Sequence, residues 1–150
     1  MQRNSITLLQ YAGFLLICGL ASVLYSAETR TAGWNGHGIS GLIACGSAAV
    51  IVALMGWLAG KGKEVAVWIG LGLAFILLSY GGYTFFKLIR DVPGNAVDLV
   101  ASRAAKGEVI ALEAAERSIQ YKAGVFAAMA FFSITAFLRL GLSLRRGGTA

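Results

Sequence analysis

Charge is scarce in this sequence: only 13% of its 150 residues are Asp, Glu, Lys or Arg, against about 25% in a soluble domain. No acidic residue falls inside any of its four long apolar stretches. That excludes a proton-coupled exporter of the small multidrug type, which needs a carboxylate within the membrane. Histidine is limited to His37. With no second histidine or carboxylate at ligand spacing, it reads as a solvated loop residue and no metal or haem site is expected. Cys18 and Cys45 both fall in apolar stretches, where a thiol behaves as a small hydrophobe, so no disulfide framework is expected. There is no Ser/His/Asp or Cys/His set, no glycine-rich phosphate loop after a strand, and no carboxylate pair poised for acid–base work. The sequence therefore predicts a non-enzymatic protein without a cofactor.

What is abundant is apolar surface. Hydrophobic residues make up 57% of the chain and the mean hydropathy is +0.72. Four stretches, residues 6–27, 39–59, 65–86 and 123–144, are free of charge except for Arg139, and each meets the ~20 residues that a transmembrane helix needs. Arg3 ahead of the first stretch gives it the outline of a signal peptide. The stretch is too long for one, however, and the cleavage motif near Tyr25-Ser26-Ala27 is poorly formed, so a retained first helix is expected. The predicted fold is an all-α membrane protein, a four-transmembrane-helix bundle forming one integral membrane domain over residues 1–150.

Between the third and fourth spans lies a polar stretch that predicts an additional interfacial helical connector over residues 95–120. Asp91-Val92-Pro93-Gly94-Asn95 contains the single proline and reads as a stop and restart, with Asn95 as N-cap and Asp98 at the third helical position. Val97, Val100, Ala101 and Ala104 then fall on one side, with Asp98, Ser102, Arg103 and Lys106 on the other and Leu99 interrupting the polar arc. Gly107 is the expected break. From residue 108 the chain reads helical into the last span, with Glu113 and Arg117 spaced to pair.

The net charge of +6 could point to nucleic acid. The basic residues instead sit at span ends and in loops, so membrane lipid is the expected partner and nucleic acid is not. Arg3, Lys61, Lys63, Arg145 and Arg146 flank short turns and tails, which predicts both termini on the cytoplasmic side. A bacterial cell membrane is the favoured location and an organellar membrane the alternative. Trp34, Trp57 and Tyr83 read as interfacial aromatics.

Small residues recur at four-residue spacing: Gly56 and Gly60; Ala66, Gly70 and Ala74; Ala123 and Ala127. In lipid, where apolar contact alone gives helices no reason to associate, such rows let backbones approach closely. They predict helix packing within a compact bundle, a homo-oligomer, or contact with a larger membrane complex. Four basic residues, Arg139, Lys87, Arg90 and Lys122, stand at span edges where an anionic headgroup could rest. For Arg139, the plain alternative is a side chain that snorkels to the headgroups.

Three segments resemble the small "transmembrane protein 14" family of organelles, plastids and bacteria. They are Tyr11-Ala12-Gly13-Phe14 opening the first span; Ala32-Gly33 with Ser40-Gly41-Leu42-Ile43-Ala44-Cys45-Gly46 entering the second; and Lys122-Ala123-Gly124 with Leu138-Arg139-Leu140-Gly141-Leu142 in the last. The resemblance covers residues 11–144. It implies a compact four-helix membrane protein, some members of the family being implicated in moving fatty acids or porphyrins. Two functions are thus expected to compete: assisting the transmembrane movement of an amphiphile, and serving as an accessory or scaffold subunit of a larger membrane complex.

Overall fold

The computed structural model describes residues 2–28, 37–107 and 109–147. Among these the structure is helical, with α1 Gln2–Glu28, α2 His37–Gly60, α3 Glu64–Arg90, α4 Val92–Ala104 and α5 Leu112–Gly147. Four of these, α1, α2, α3 and α5, are long and apolar enough to cross a membrane. Their outward faces carry large apolar side chains such as Ile17, Val50, Trp57, Ile76, Tyr83 and Phe131, each more than half exposed. A surface so continuously apolar suits lipid and not water.

The four long helices alternate in direction. α1 packs most extensively on α2, α3 on α5, and α1 also meets α5. Leu8, Leu15, Val52 and Leu140 form the fully buried centre together with Ser133. Gly56 is buried where a Cβ would meet Leu8 and Leu9, and a Cβ on Gly60 would approach Ser5. Gly41 and Gly19 serve the same α1–α2 seam, since a Cβ at either would crowd Ser22 or Cys45. Gly70 faces Leu8 of α1. Ala66, Ala74 and Ala123 are buried and Ala127 is half-buried.

α2 and α3 join through the three residues Lys61-Gly62-Lys63. Gly62 has φ of +82°, which glycine adopts without steric cost. The Lys63 N–H donates to the Leu58 carbonyl and the Gly62 N–H to the Ala59 carbonyl, a Schellman closure that satisfies the last carbonyls of α2. His37 opens α2 and does not stand in a loop. Its side chain, Trp34 and the rest of the first connector lie outside the described residues.

The connector departs from expectation in three ways. First, α4 begins at Val92, with Asp91 as its N-cap accepting from the Gly94 N–H and Pro93 in the first turn. Proline is tolerated there because the first N–H groups of a helix have no partner inside it. Asn95 instead closes the preceding helix. Its side-chain amide donates to the Asp91 carbonyl (2.7 Å) and reaches those of Leu88 (3.3 Å) and Lys87 (3.4 Å). Second, the buried face of α4 is rotated from the sequence reading. Ala96, Leu99 and Val100 pack against Ile110 and Ala115, while Val97, Ala101 and Ala104 are exposed. Third, the helix after Gly107 starts later than expected. Gly107, with φ of +78°, ends a turn after α4, and α5 starts at Leu112. From there it runs unbroken through the last span. At 36 residues, α5 is about 54 Å long. It exceeds the ~30 Å hydrocarbon, and its first turns carry α4.

Candidate functional site

The four basic residues do not form one site. Arg139 lies about two turns before the C-terminal end of α5, beside the start of α1. Lys87 and Arg90 occupy the last turn of α3 at the opposite end, and Lys122 lines a small pocket there. Alternating helix direction separates them.

Around Arg139 the structure builds a continuous groove along the α1–α5 seam. Its mouth, about 680 Å³, is lined by Arg3, Asn4, Thr7, Gln10, Arg139 and Ser143, with Ile6 and Leu142. A second section of about 500 Å³ shares Thr7, Gln10 and Arg139 with the mouth and continues over Gly13, Phe14, Ile17, Phe132 and Ala136. Both volumes fall in the range of small-molecule sites. Polar groups crowd the end nearer the chain termini, and apolar ones floor the deeper part.

Local sequence explains the shape. Residues 3, 7, 10, 14 and 17 recur at helical spacing, so Arg3, Thr7, Gln10, Phe14 and Ile17 share one stripe of α1. Gly13 leaves the groove open, because a Cβ there would meet nothing within 4 Å. The back wall is pinned by Tyr11 and Ser133, both buried, which share a hydrogen bond of 2.6 Å between α1 and α5. Phe14 and Phe132 stack across the same seam. Farther along, the Tyr121 hydroxyl donates to the Ala21 carbonyl. These contacts keep α1 and α5 together along the back of the groove.

The guanidiniums of Arg3 and Arg139 have no hydrogen-bond or ion-pair partner among the described residues. Two like charges face one mouth, and each offers a planar fork matched to a carboxylate or phosphate. Sequence reasoning singled out Arg139 but missed Arg3, Gln10 and Thr7 as its companions. The α1 stripe was readable as a helical pattern; its partner on α5 was not.

Among the described residues, no group of three or more His, Cys, Asp or Glu could hold a metal ion. Trp57 and Tyr83 are exposed at opposite ends of the bundle, and the Lys61 ammonium sits 3.6 Å above the Trp57 ring. No protein-family model, curated protein or solved structure matches the chain.

Proposed function

We propose that this is a non-enzymatic, multi-pass membrane protein that binds a single-chain anionic amphiphile, such as a fatty acid, in the α1–α5 groove and assists its movement through the membrane. One observation carries the reading: two unpartnered guanidiniums stand at the polar mouth of a groove whose floor is apolar. An acyl chain gains little by leaving lipid for an apolar groove, since lipid is equally apolar. Selection therefore rests on the headgroup, and Arg3 and Arg139 supply it. The resemblance to the "transmembrane protein 14" family agrees with this substrate class.

Gly13→Leu tests the reading directly. A Cβ at Gly13 would meet nothing within 4 Å and the residue lines the groove, so folding should survive while the leucine side chain fills the floor. In nanodiscs, a fluorescent fatty acid should bind wild type and fail to bind Gly13→Leu. Arg139→Gln should weaken binding about tenfold, the lower end of what a charge-assisted hydrogen bond gives once exposure is discounted. Arg139→Lys should fall between, keeping the charge and losing the fork. Equal binding by wild type, Gly13→Leu and Arg139→Gln would reject the groove. Protein co-purifying in fixed ratio would then favour the accessory-subunit reading.

A further inference from the structure

Three sulfur-bearing side chains, one from each of three helices, line a single small cavity. Cys18 and Ser22 reach it from α1, Gly41 and Cys45 from α2, and Lys122 and Met129 from α5. The first two pairs are four residues apart and the third seven, so each helix presents one stripe to the wall. The cavity, about 70 Å³, admits a bare metal ion or a water and is too small for an organic ligand. It shares no residue with the α1–α5 groove.

Cys18 and Met129 are buried and Cys45 is half-buried. Both thiols are free. Close backbone approach brings the two cysteines to one place: a Cβ on Gly19, the residue after Cys18, would lie 3.2 Å from the Cys45 Cβ. The Ser22 hydroxyl donates to the Gly19 carbonyl and is tied to its own helix. The side-chain donors that converge are therefore sulfur. Methionine is the third of them, which is why no group of three His, Cys, Asp or Glu marks the place among the described residues.

We propose that Cys18, Cys45 and Met129 bind one soft monovalent metal ion, Cu(I), with Lys122 as its counter-charge. Thiolate and thioether ligands select Cu(I), whereas magnesium and calcium require oxygen. On binding, the two S–H bonds break, two Cu–S bonds form and both protons pass to solvent. Copper stays in the +1 state, and the Met129 thioether adds a neutral third ligand. Charge decides between this ion and zinc. Two thiolates with Cu(I) carry −1, which the Lys122 ammonium neutralises; with Zn(II) the same set would keep a charge of +1 inside the membrane, where it is costly, and would lack the fourth ligand of a closed zinc site.

Anaerobic titration of Cu(I) into the reduced, full-length protein in phosphatidylcholine nanodiscs, in competition with a chromophoric Cu(I) chelator, gives the test. Wild type should hold one tight copper per chain, and X-ray absorption should show a shell of sulfur alone. Cys18→Ser and Cys45→Ser should each lower the affinity by more than the 10–100-fold or so that loss of an outer-shell partner costs, and Lys122→Gln should fall within about that range. Met129→Leu keeps the volume; it should weaken binding and remove one sulfur from the shell, while Met55→Leu should change neither. Should a serine variant fail to fold, as read by near-UV circular dichroism, the wild-type shell and the comparison of Met129→Leu with Met55→Leu decide on their own. Copper held through nitrogen or oxygen, the absence of a single tight ion per chain, a folded serine variant that binds as wild type, or Zn(II) displacing Cu(I) would overturn the site.

Discussion

Gly81 and Gly82 are adjacent in α3, yet alanine should act on them in opposite directions. A Cβ on Gly81 would lie 2.9 Å from the Met129 Cε, 3.2 Å from the Phe126 carbonyl oxygen and 3.3 Å from the Ala130 nitrogen. The Met129 side chain is flexible and can swing aside. The other two atoms are backbone of α5 and cannot, so α3 and α5 must separate by a few tenths of an ångström along their whole contact. Overpacking of this kind costs about 1–3 kcal/mol. At Gly82 a Cβ meets nothing within 4 Å. Both substitutions gain the same intrinsic helix propensity, up to about 1 kcal/mol, so that term cancels between them. Gly81→Ala should therefore be less stable than Gly82→Ala by about 1–3 kcal/mol, with Gly82→Ala at or slightly above wild type. Unfolding by SDS titration from mild detergent, followed by near-UV circular dichroism, reads the difference. If the two variants agree within a few tenths of a kcal/mol, the close α3–α5 approach at Gly81 is not real.

Two further substitutions probe the pins that position the groove and the connector. Tyr11→Phe removes the buried hydrogen bond to Ser133 and should cost about 0.6–1.7 kcal/mol, the range found for such bonds between membrane helices. A double-mutant cycle with Ser133→Ala should recover a coupling of that size, and zero coupling would mean that the bond adds nothing. Asn95→Ala removes the amide that closes the end of α3 and should cost about 1 kcal/mol. Hydrogen exchange should accelerate first in residues 88–95, and unchanged exchange there would contradict the capping role.

The long helices were legible because a run of apolar residues long enough to span is a property of the sequence alone, independent of what packs where. Their contacts were only partly so. Regular spacing picked out Gly56 and Gly70, which do face neighbouring helices, but gave no reason to notice Gly81, whose importance comes from backbone atoms of α5 more than forty residues away. The connector held a local ambiguity. Asp91 and Asn95 are both good caps, and the sequence reading gave the helix start to the one that in fact closes α3. The proline decides between them, because it fits the first turn of a helix beginning at Val92. Leu99 looked like a defect in a polar arc only because the buried face had been placed one residue off. With Ala96 and Val100 beside it, it is part of the face that α5 covers.

The separation of the basic residues could have been reached by parity. Each crossing reverses direction, so the C-terminal end of the third span and the C-terminal end of the fourth must lie on opposite sides of any bundle with short connections. Lys87 and Arg90 end α3, and Arg139 stands near the end of α5; no packing of an antiparallel bundle brings them together. The same parity places Lys122, at the beginning of the last span, with Lys87, and Arg139 with the start of α1, which is where Arg3 stands. What parity cannot supply is rotation about each helix axis. Only the packed α1–α5 seam shows that Arg3, Gln10 and Arg139 face one groove, and that Lys122 looks instead into a pocket shared with α2. The groove section at one end, about 500 Å³, has room for a chain beside its cations, whereas the pocket beside Lys122, about 70 Å³ and lined mainly by apolar groups, does not. That difference in volume is why the proposed amphiphile site stands at Arg139 and not at Lys122.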